Sequence, residues 1–308
     1  MSVSTVHVLH GVKTPAQFYS QIEEHTSSPR IASMLGTPSG HYEPLFQGVK
    51  GVMPDVTFKT TQLTTLFTEL GLYGASMAAG NTDLFFKKVT DLGKREAAAT
   101  TTHTRLRMSQ AYMYWRSLTA GHQAEAKADV RIMTTYDGSN NPLVPAGSLA
   151  LSGTMTAAEY FCLGPVSINT VAINGIQDCT IDLGVETIEA GSDSDTYNTF
   201  CAIRHLTPVI TLRGLAAEHW ATYGINGTAL TGLVLYLRKL NKNVASGLPY
   251  VANATAEHIK FTASAGVITL DESSGAGKSE LTTTLRIALA AEDDTHDSLT
   301  IAVNQAIT

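Results

Sequence analysis

The sequence Ser-Gly-Ala-Gly-Lys-Ser at residues 274–279 ends like a phosphate-binding loop. A complete loop needs a glycine at the position of Glu272, a buried strand before it, and a helix after it whose N-terminus meets the phosphate. Here the first position is acidic, and a β-patterned run starts at Leu281. We therefore predict that this segment is a flexible hairpin tip and that it binds no nucleotide.

Carboxylate chemistry or calcium binding could use Asp178, Asp182 and Glu186, which share one face of a predicted strand. Spacing along a strand sets such side chains in a row, whereas a metal or an acid–base pair needs them to converge on one point. A solvated acidic face is therefore the favoured interpretation.

Histidine and cysteine complete no site in the sequence either. His7 and His10 lie three apart, but no nearby cluster of carboxylates or cysteines completes a ligand set. For six of the other histidines a surface or hydrogen-bonded role is favoured. The cysteines form no CxxC pair and predict reduced, buried thiols. No G-x-S-x-G elbow occurs, so we expect no enzyme, no cofactor and no metal. The histidines are His103, His122, His205, His219, His258 and His296, and the cysteines are Cys162, Cys179 and Cys201.

The carboxylates lie in a long β-hairpin that we predict over residues 171–215. Apolar and polar residues alternate over residues 177–187, which is the period of a half-buried strand. Pro208 lies in the returning strand, and because it has no N–H, we expect that strand to lie at an edge or to carry a bulge. The apolar positions are Cys179, Ile181, Leu183 and Val185, the polar ones are Asp178, Thr180, Asp182 and Glu186, and the turn is Ala190, Gly191, Ser192, Asp193, Ser194 and Asp195.

The strand end DLGVET at 182–187, the polar tip, and the return through TYNTF at 196–200 and TPVITLRG at 207–214 resemble tail tube proteins of long-tailed bacteriophages. The resemblance covers residues 171–215. It implies a structural virion protein of the tail, synthesised in the host cytoplasm, that assembles with itself into stacked rings. It also implies contacts with tape measure, terminator and baseplate proteins, passage of DNA without specific binding, and no membrane.

In that family an inner sheet lines the channel through which DNA leaves the capsid. The resemblance implies that Asp178, Thr180, Asp182 and Glu186 line the channel, where acidic and small polar groups would repel phosphates. Lys59, which we align with Asp182, departs from a uniformly acidic lining. The polar tip would contact the adjacent ring, through Ala190, Gly191, Ser192, Asp193, Ser194 and Asp195.

Short segments of the chain recur in the same order, which indicates a duplicated domain. We expect a mainly β protein with an N-terminal arm at 1–45 and two related sandwich or barrel halves at 46–165 and 166–308, each with a short helix. Helical signals lie at 63–79 and 214–223. Tail tubes of the family that residues 171–215 resemble commonly stack rings of six domains, so the resemblance implies three chains per ring with duplication and six with a single tube domain. The recurring pairs are 51–58 with 175–181, 84–89 with 235–240, and 128–132 with 256–261.

The composition is compatible with this reading. The chain has 308 residues, a formal net charge of −6 and 16% charged residues, below the usual value of about 25%. Low charge with many small hydroxyl residues suits a surface buried in an assembly, or an ordinary β protein with a quiet surface. Net acidity argues against nucleic-acid binding by charge neutralisation. No signal peptide or membrane anchor is expected.

Two other classes remain open. A different virion protein, such as a capsid decoration or baseplate component, would share the low charge and the β content. A carbohydrate-binding or adhesin β-sandwich would show exposed aromatic residues clustered on loops. The main aromatic concentration here, Tyr112 to Trp115, has strand spacing and predicts core packing instead.

Overall fold

The computed structural model describes residues 5–77, 80–90, 93–155, 158–192, 195–215, 222–223, 226–242, 249–275, 277 and 280–308. The described residues are mainly β, with 59% strand and one complete helix. This confirms the mainly β part of the predicted fold class. The helix α1 spans Leu63–Leu70, inside the predicted segment 63–79, whereas most of the second helical signal, at 216–221, lies outside the described residues.

Twelve strands precede residue 150. They are β1 Thr5–Lys13, β2 Phe18–Tyr19, β3 Ile22–Ser28, β4 Ile31–Gly36, β5 Phe46–Val52, β6 Asp55–Thr60, β7 Ala75–Ser76, β8 Thr82–Thr90, β9 His103–Met108, β10 Gln110–Gly121, β11 Ala124–Thr135 and β12 Val144–Leu149.

Twelve more strands follow it. They are β13 Phe161–Ile168, β14 Val171–Ile173, β15 Ile176–Asp182, β16 Glu186–Ala190, β17 Phe200–His205, β18 Val209–Gly214, β19 Thr228–Leu230, β20 Leu233–Lys239, β21 His258–Ala263, β22 Ala265–Ser274, β23 Thr282–Ala290 and β24 Thr300–Gln305.

Pairing among the first twelve strands recurs among the second twelve. One five-stranded sheet has the order β12-β9-β8-β1-β2, and the other has β24-β21-β20-β13-β14. A ten-stranded sheet contains both the series β3-β6-β11-β10-β7 and the series β15-β18-β23-β22-β19. The two-stranded ladders β4–β5 and β16–β17 correspond in the same way. Each strand therefore has a counterpart twelve strands later.

Irregular positions recur along with the pairing. The register of β10 with β11 shifts between Trp115 and Ser117, and that of β22 with β23 shifts between Leu270 and Glu272. Near the ends of β12 and β24, Ser148 and Asn304 have φ values of 56° and 54°. Because positive φ is uncommon outside glycine, these positions give a residue-level alignment of the two series.

Two buried histidines occupy equivalent places at the starts of β9 and β21. His103 Nδ1 accepts the backbone N–H of Lys88 at 3.0 Å, and His258 Nδ1 accepts that of Lys239 at 3.1 Å. Since Nδ1 is an acceptor, the proton must lie on Nε2, which donates to a carbonyl oxygen. Each imidazole thus joins two backbone segments inside the protein. The carbonyls belong to Ala97, at 2.9 Å, and Ala252, at 3.2 Å.

A single apolar core runs under the sheets and includes α1. Phe67 of α1 meets Trp115 of β10 edge-on at 5.4 Å and Phe261 of β21 at 5.5 Å, measured between ring centroids. Met113, Tyr114 and Trp115 are buried, as expected for the Tyr112 to Trp115 segment. The core therefore ties strands of the first series to strands of the second.

The expected N-terminal arm is wrong, because β1–β4 lie within residues 5–45. The N–H of Thr14 donates to the carbonyl of Gln17, and the N–H of Gln17 donates to Thr14 Oγ1, both at 2.9 Å. These bonds close a turn that returns the chain from β1 to β2.

The hairpin over residues 171–215 forms, with β15 paired to β18 and β16 to β17. The edge position expected from Pro208 is wrong, because β18 lies between β15 and β23. Pro208 precedes β18, so its missing N–H removes no ladder bond. Nor does it carry a bulge, since the β15–β18 register shifts between Ile176 and Asp178, at the other end.

Two of the three sequence echoes do not join counterpart strands. Segments 84–89 and 235–240 lie in β8 and β20, which correspond. The segments at 51–58 and 128–132 end in β6 and β11, whose counterparts are β18 and β23 and not the expected β15 and β21.

The His258→Ala substitution should destabilise the fold, because it leaves the buried N–H of Lys239 without its acceptor. We expect a loss of about 1–3 kcal/mol, measured by urea unfolding. The control is His122→Ala, an exposed side chain, which should change stability by less than about 0.5 kcal/mol. Equal effects of the two substitutions would contradict the role assigned to His258.

Candidate assembly surface

Strand β15 has one buried and one wet face, as its sequence predicts. Cys179 and Ile181 are buried, Asp178 and Asp182 are exposed, and Thr180 is partly exposed. The three polar channel-lining candidates of this strand therefore lie together on the open face of the ten-stranded sheet.

The fourth candidate, Glu186, does not share that strand. β15 ends at Asp182, whose Oδ1 accepts the N–H of Gly184 at 2.9 Å. Gly184 has φ 54°, and a Cβ there would lie 2.6 Å from the carbonyl oxygen of Thr207. This turn breaks the predicted strand over 177–187, and Glu186 begins β16 in a separate two-stranded sheet.

Charges of both signs occupy the open face. Asp178 lies opposite Arg213 on β18. On β6, farther along the same face of the sheet, Lys59 forms an ion pair with Glu24 at 2.5 Å and lies opposite Asp129 on β11. Asp178 and Asp182 are solvated as expected, whereas the exposed Arg213 and Lys59 make the charge of the whole face mixed. By register Lys59 corresponds to Arg213 and not to Asp182, because each follows the position where its ladder shifts.

One junction, β10 with β15, joins the two series within the ten-stranded sheet. Ser117 to Gly121 pair antiparallel with Asp178 to Asp182. Leu118 and Ile181 lie opposite each other there, and both are buried. A strand of the first series thus continues the sheet into the second series through ordinary backbone hydrogen bonds.

The counterparts of these two strands lie toward opposite ends of the same sheet, where β22 is second from the end, next to the short strand β19. β3, the counterpart of β15, is the terminal strand at one end, and among the described strands it pairs only with β6. β22, the counterpart of β10, pairs with β19 only through residues 266–268 on its outer side. Ser27 and Ser273, both exposed, occupy the positions of Ile181 and Leu118.

The β16–β17 hairpin folds back onto the first series through an ion cluster. Glu189 binds Arg30 at 2.9 Å and Arg131 at 3.1 Å, and Arg131 binds Asp55 at 3.0 Å. Burial alone would lower the pKa of Arg131, but Tyr114, Asp55 and Glu189 outweigh burial and raise it. The side chains of Glu189, Arg131 and Asp55 are each 15% exposed, so the cluster is largely shielded from solvent.

Backbone contacts fix the far end of this hairpin. The N–H of Val52 donates to the carbonyl of Thr196, and that of Tyr136 donates to the carbonyl of Asn198, both at 2.8 Å. Cys201 Sγ lies 3.8 Å from the carbonyl oxygen of Met133. Of the inter-ring candidates, Ala190, Gly191, Ser192 and Asp195 are exposed at the tip, whereas Asp193 and Ser194 lie outside the described residues.

Catalytic chemistry has little support in the described residues. Burial raises the pKa of Cys179 to about 12, and burial and Glu189 raise that of Cys201 to about 11, so neither is a ready nucleophile. No group of three or more potential metal-ligating side chains occurs among the described residues. The paired strands β22 and β23 flank the segment 274–279, as predicted for a hairpin connection, and Ala276, Lys278 and Ser279 lie outside the described residues.

The surface has a groove of about 790 Å³. It lies over β18 and β23, beside the end of β17. Its lining includes Arg204, His205, Leu206, Val209, Arg286 and Ala288.

Comparison with known proteins adds no identification. No protein family matches the sequence, and no curated protein matches it. Separately, no helix among the described residues is long and apolar enough to span a bilayer.

The sequence interpretation missed the ion cluster, the paired histidines and the prominent β4–β5 hairpin. A usable signal was present: His258 follows His103 at the same interval as Arg286 follows Arg131 and Ser264 follows Ser109. An interval search with one fixed spacing would have found the paired histidines.

Proposed function

We propose that this chain is a structural virion protein that polymerises into stacked rings and forms the tail tube of a long-tailed phage, a conduit for DNA. We further propose that it consists of two related halves, β1–β12 and β13–β24. The β10–β15 junction carries the proposal, because the sheet ends that it leaves open are the counterparts of the strands that it joins.

Such an arrangement favours a head-to-tail interface between copies. A heterologous contact repeated by rotation closes into a ring when the rotation divides the circle. The open edge of β22 would take β3 of the next chain, as β10 takes β15 within the chain. By register, Ser273 would lie opposite Ser27, and Ser274 opposite Thr26. Unpaired edges with backbone donors and acceptors are templates for this kind of pairing.

Hydroxyl side chains at these edges fit a chain that is made singly and assembles later. The internal junction buries Leu118 against Ile181, whereas the open edges present Ser273 and Ser27. Polar edge residues reduce indiscriminate edge-to-edge association. The interface between chains would therefore depend on backbone hydrogen bonds and on further contacts outside the edge strands.

The open face of the ten-stranded sheet is the proposed lumen wall, with Asp178, Thr180 and Asp182 on it. Its mixed charges and hydroxyl groups offer DNA no continuous basic track, so phosphates would find no sequence-independent binding site. Glu186 lies outside this wall in the proposal. Tape measure, terminator and baseplate proteins are the expected partners at the tube interior and ends.

Ring stoichiometry is the first test. Two equivalent steps per chain should give three chains per ring, so each ring should have three times the chain mass of 32.8 kDa. Mass per ring in tubes of purified protein, measured by scanning transmission electron microscopy, checks this. Six chains would contradict the two-halves proposal, and protein that stays monomeric under all conditions would contradict the tube.

Charge reversal on the wall is the second test. The Asp178→Lys substitution puts a lysine opposite Arg213, so that two cations lie side by side on the wall. Assembled tubes should then retain DNA, and the amount of DNA retained should decrease steeply as the salt concentration rises. Asp294→Lys, on the exposed turn before β24, makes the same charge change off the wall and should leave DNA retention unchanged. Equal retention by both variants would show that β15 does not face the lumen.

The third test concerns stacking through the tip of the β16–β17 hairpin. Deletion of residues 191–195 removes exposed tip residues but leaves the Glu189 cluster in place, so rings should form without growing into tubes. Negative-stain microscopy distinguishes single rings from tubes. Tubes of normal length would mean that the tip is not the inter-ring contact.

A further inference from the structure

The groove over β18 and β23 has a filled counterpart in the first half. There, Asp55, Arg131 and Met133 occupy the positions of Val209, Arg286 and Ala288, as the registers of β6 with β11 and of β18 with β23 require. The β16–β17 hairpin covers that site through Glu189 and Cys201.

The two sites differ in burial as expected if a hairpin covers the first site and none covers the second. Met133 is 1% exposed beneath the β16–β17 hairpin, and Arg131 is largely buried. At the second site Arg286 is exposed and Ala288 is partly exposed. Equivalent backbone positions are thus closed in one half and open in the other.

The β4–β5 hairpin is the counterpart of the covering β16–β17 hairpin, and its corresponding face is exposed to solvent. Leu35 lies opposite Gln47 in its ladder, as Glu189 lies opposite Cys201 in β16–β17. Leu35 and Val49, on the face that corresponds to the docked face of β16–β17, are both 60% exposed. A hairpin with exposed large apolar residues on this face is unusual for a surface that stays in water.

We propose that the β4–β5 hairpin of a second copy of this chain occupies the groove over β18 and β23. This inference rests on the proposed ring, because the β3–β22 pairing delivers the hairpin that follows β3 to this place. The chemistry of the two surfaces agrees: where Glu189 meets Arg131 beside Met133, Leu35 would meet the smaller Ala288 and the aliphatic stem of Arg286. The contact between chains is apolar where the contact within the chain is ionic.

Crosslinking at equivalent positions tests the contact. Gln47 and Ala288 correspond to Cys201 and Met133, so a chain with Gln47→Cys and Ala288→Cys, assembled and treated with a short bismaleimide, should give covalent dimers and trimers on a denaturing gel. Met133→Cys with the native Cys201 is the positive control and should crosslink within one chain. Each single variant, Gln47→Cys or Ala288→Cys, should give no ladder.

A second cysteine pair separates this inference from the ring itself. Ser27→Cys with Ser273→Cys reports the strand edges in the same assay. If the edge pair gives crosslinked dimers and trimers and the pair at Gln47 and Ala288 does not, the hairpin docking is overturned but the proposed ring is not. If neither pair gives crosslinked dimers and trimers, both proposals are overturned. If both pairs give them, both proposals are supported.

Matched point substitutions test the apolar character of the contact. Leu35→Asp places a charge on the docking face and should raise the concentration needed for half-maximal assembly by about tenfold or more. Met34→Asp makes the same change on the opposite face of the same strand, where Met34 is 50% exposed, and should have little effect. Unchanged thermal unfolding of the unassembled variants shows that folding is intact. Equal effects on assembly would overturn the docking.

Discussion

Backbone hydrogen bonding between β10 and β15 is the constraint on which the architecture depends. It makes one continuous sheet from strands that otherwise fall into two series, and it buries Leu118 and Ile181 at the seam. A sheet joined in this way has two ends, and here the end strands are β3, the counterpart of β15, and β19, a short strand that covers only part of β22, the counterpart of β10. The geometry that unites the chain internally would therefore leave it open to the next chain in the proposed ring.

The two hairpins follow from this arrangement. β16 continues the chain after β15, so it is delivered across the seam onto β10 and β11, where the Glu189 cluster holds it. β4 continues the chain after β3, and because β3 ends the sheet, its hairpin has no such surface within the chain. Its exposed apolar residues are thus the consequence of a position in the sheet and not of a defect in packing.

Alternation in residues 177–182 predicted the buried and open faces of β15 correctly, because period two is a direct consequence of strand geometry. The end of that strand was not predictable by the same rule, since Leu183 and Val185 continue the apolar series through a turn set by the positive φ of Gly184. Pro208 misled for a related reason, because a proline just before an interior strand has the same sequence appearance as one inside an edge strand. The recurrence of segments was visible in outline, but matching by local similarity paired β6 with β15. The correct correspondence depends on hydrogen-bonding partners, which short β segments do not encode.

Leu35 on β4 corresponds to Glu189 on β16, so the contact that we propose at the second site would lack the ion cluster. In the proposed ring, ionic hairpin contacts within chains would alternate with apolar hairpin contacts between chains. The wall would therefore have threefold and not sixfold chemical symmetry. The ionic contacts through Glu189 form when each chain folds, whereas the proposed apolar contacts through Leu35 would form only when chains meet. Assembly would then gain from warming, since apolar burial is driven by entropy near room temperature, and would tolerate salt that screens surface charges. Replacement of one ionic partner by leucine thereby separates the conditions that favour folding from those that favour polymerisation.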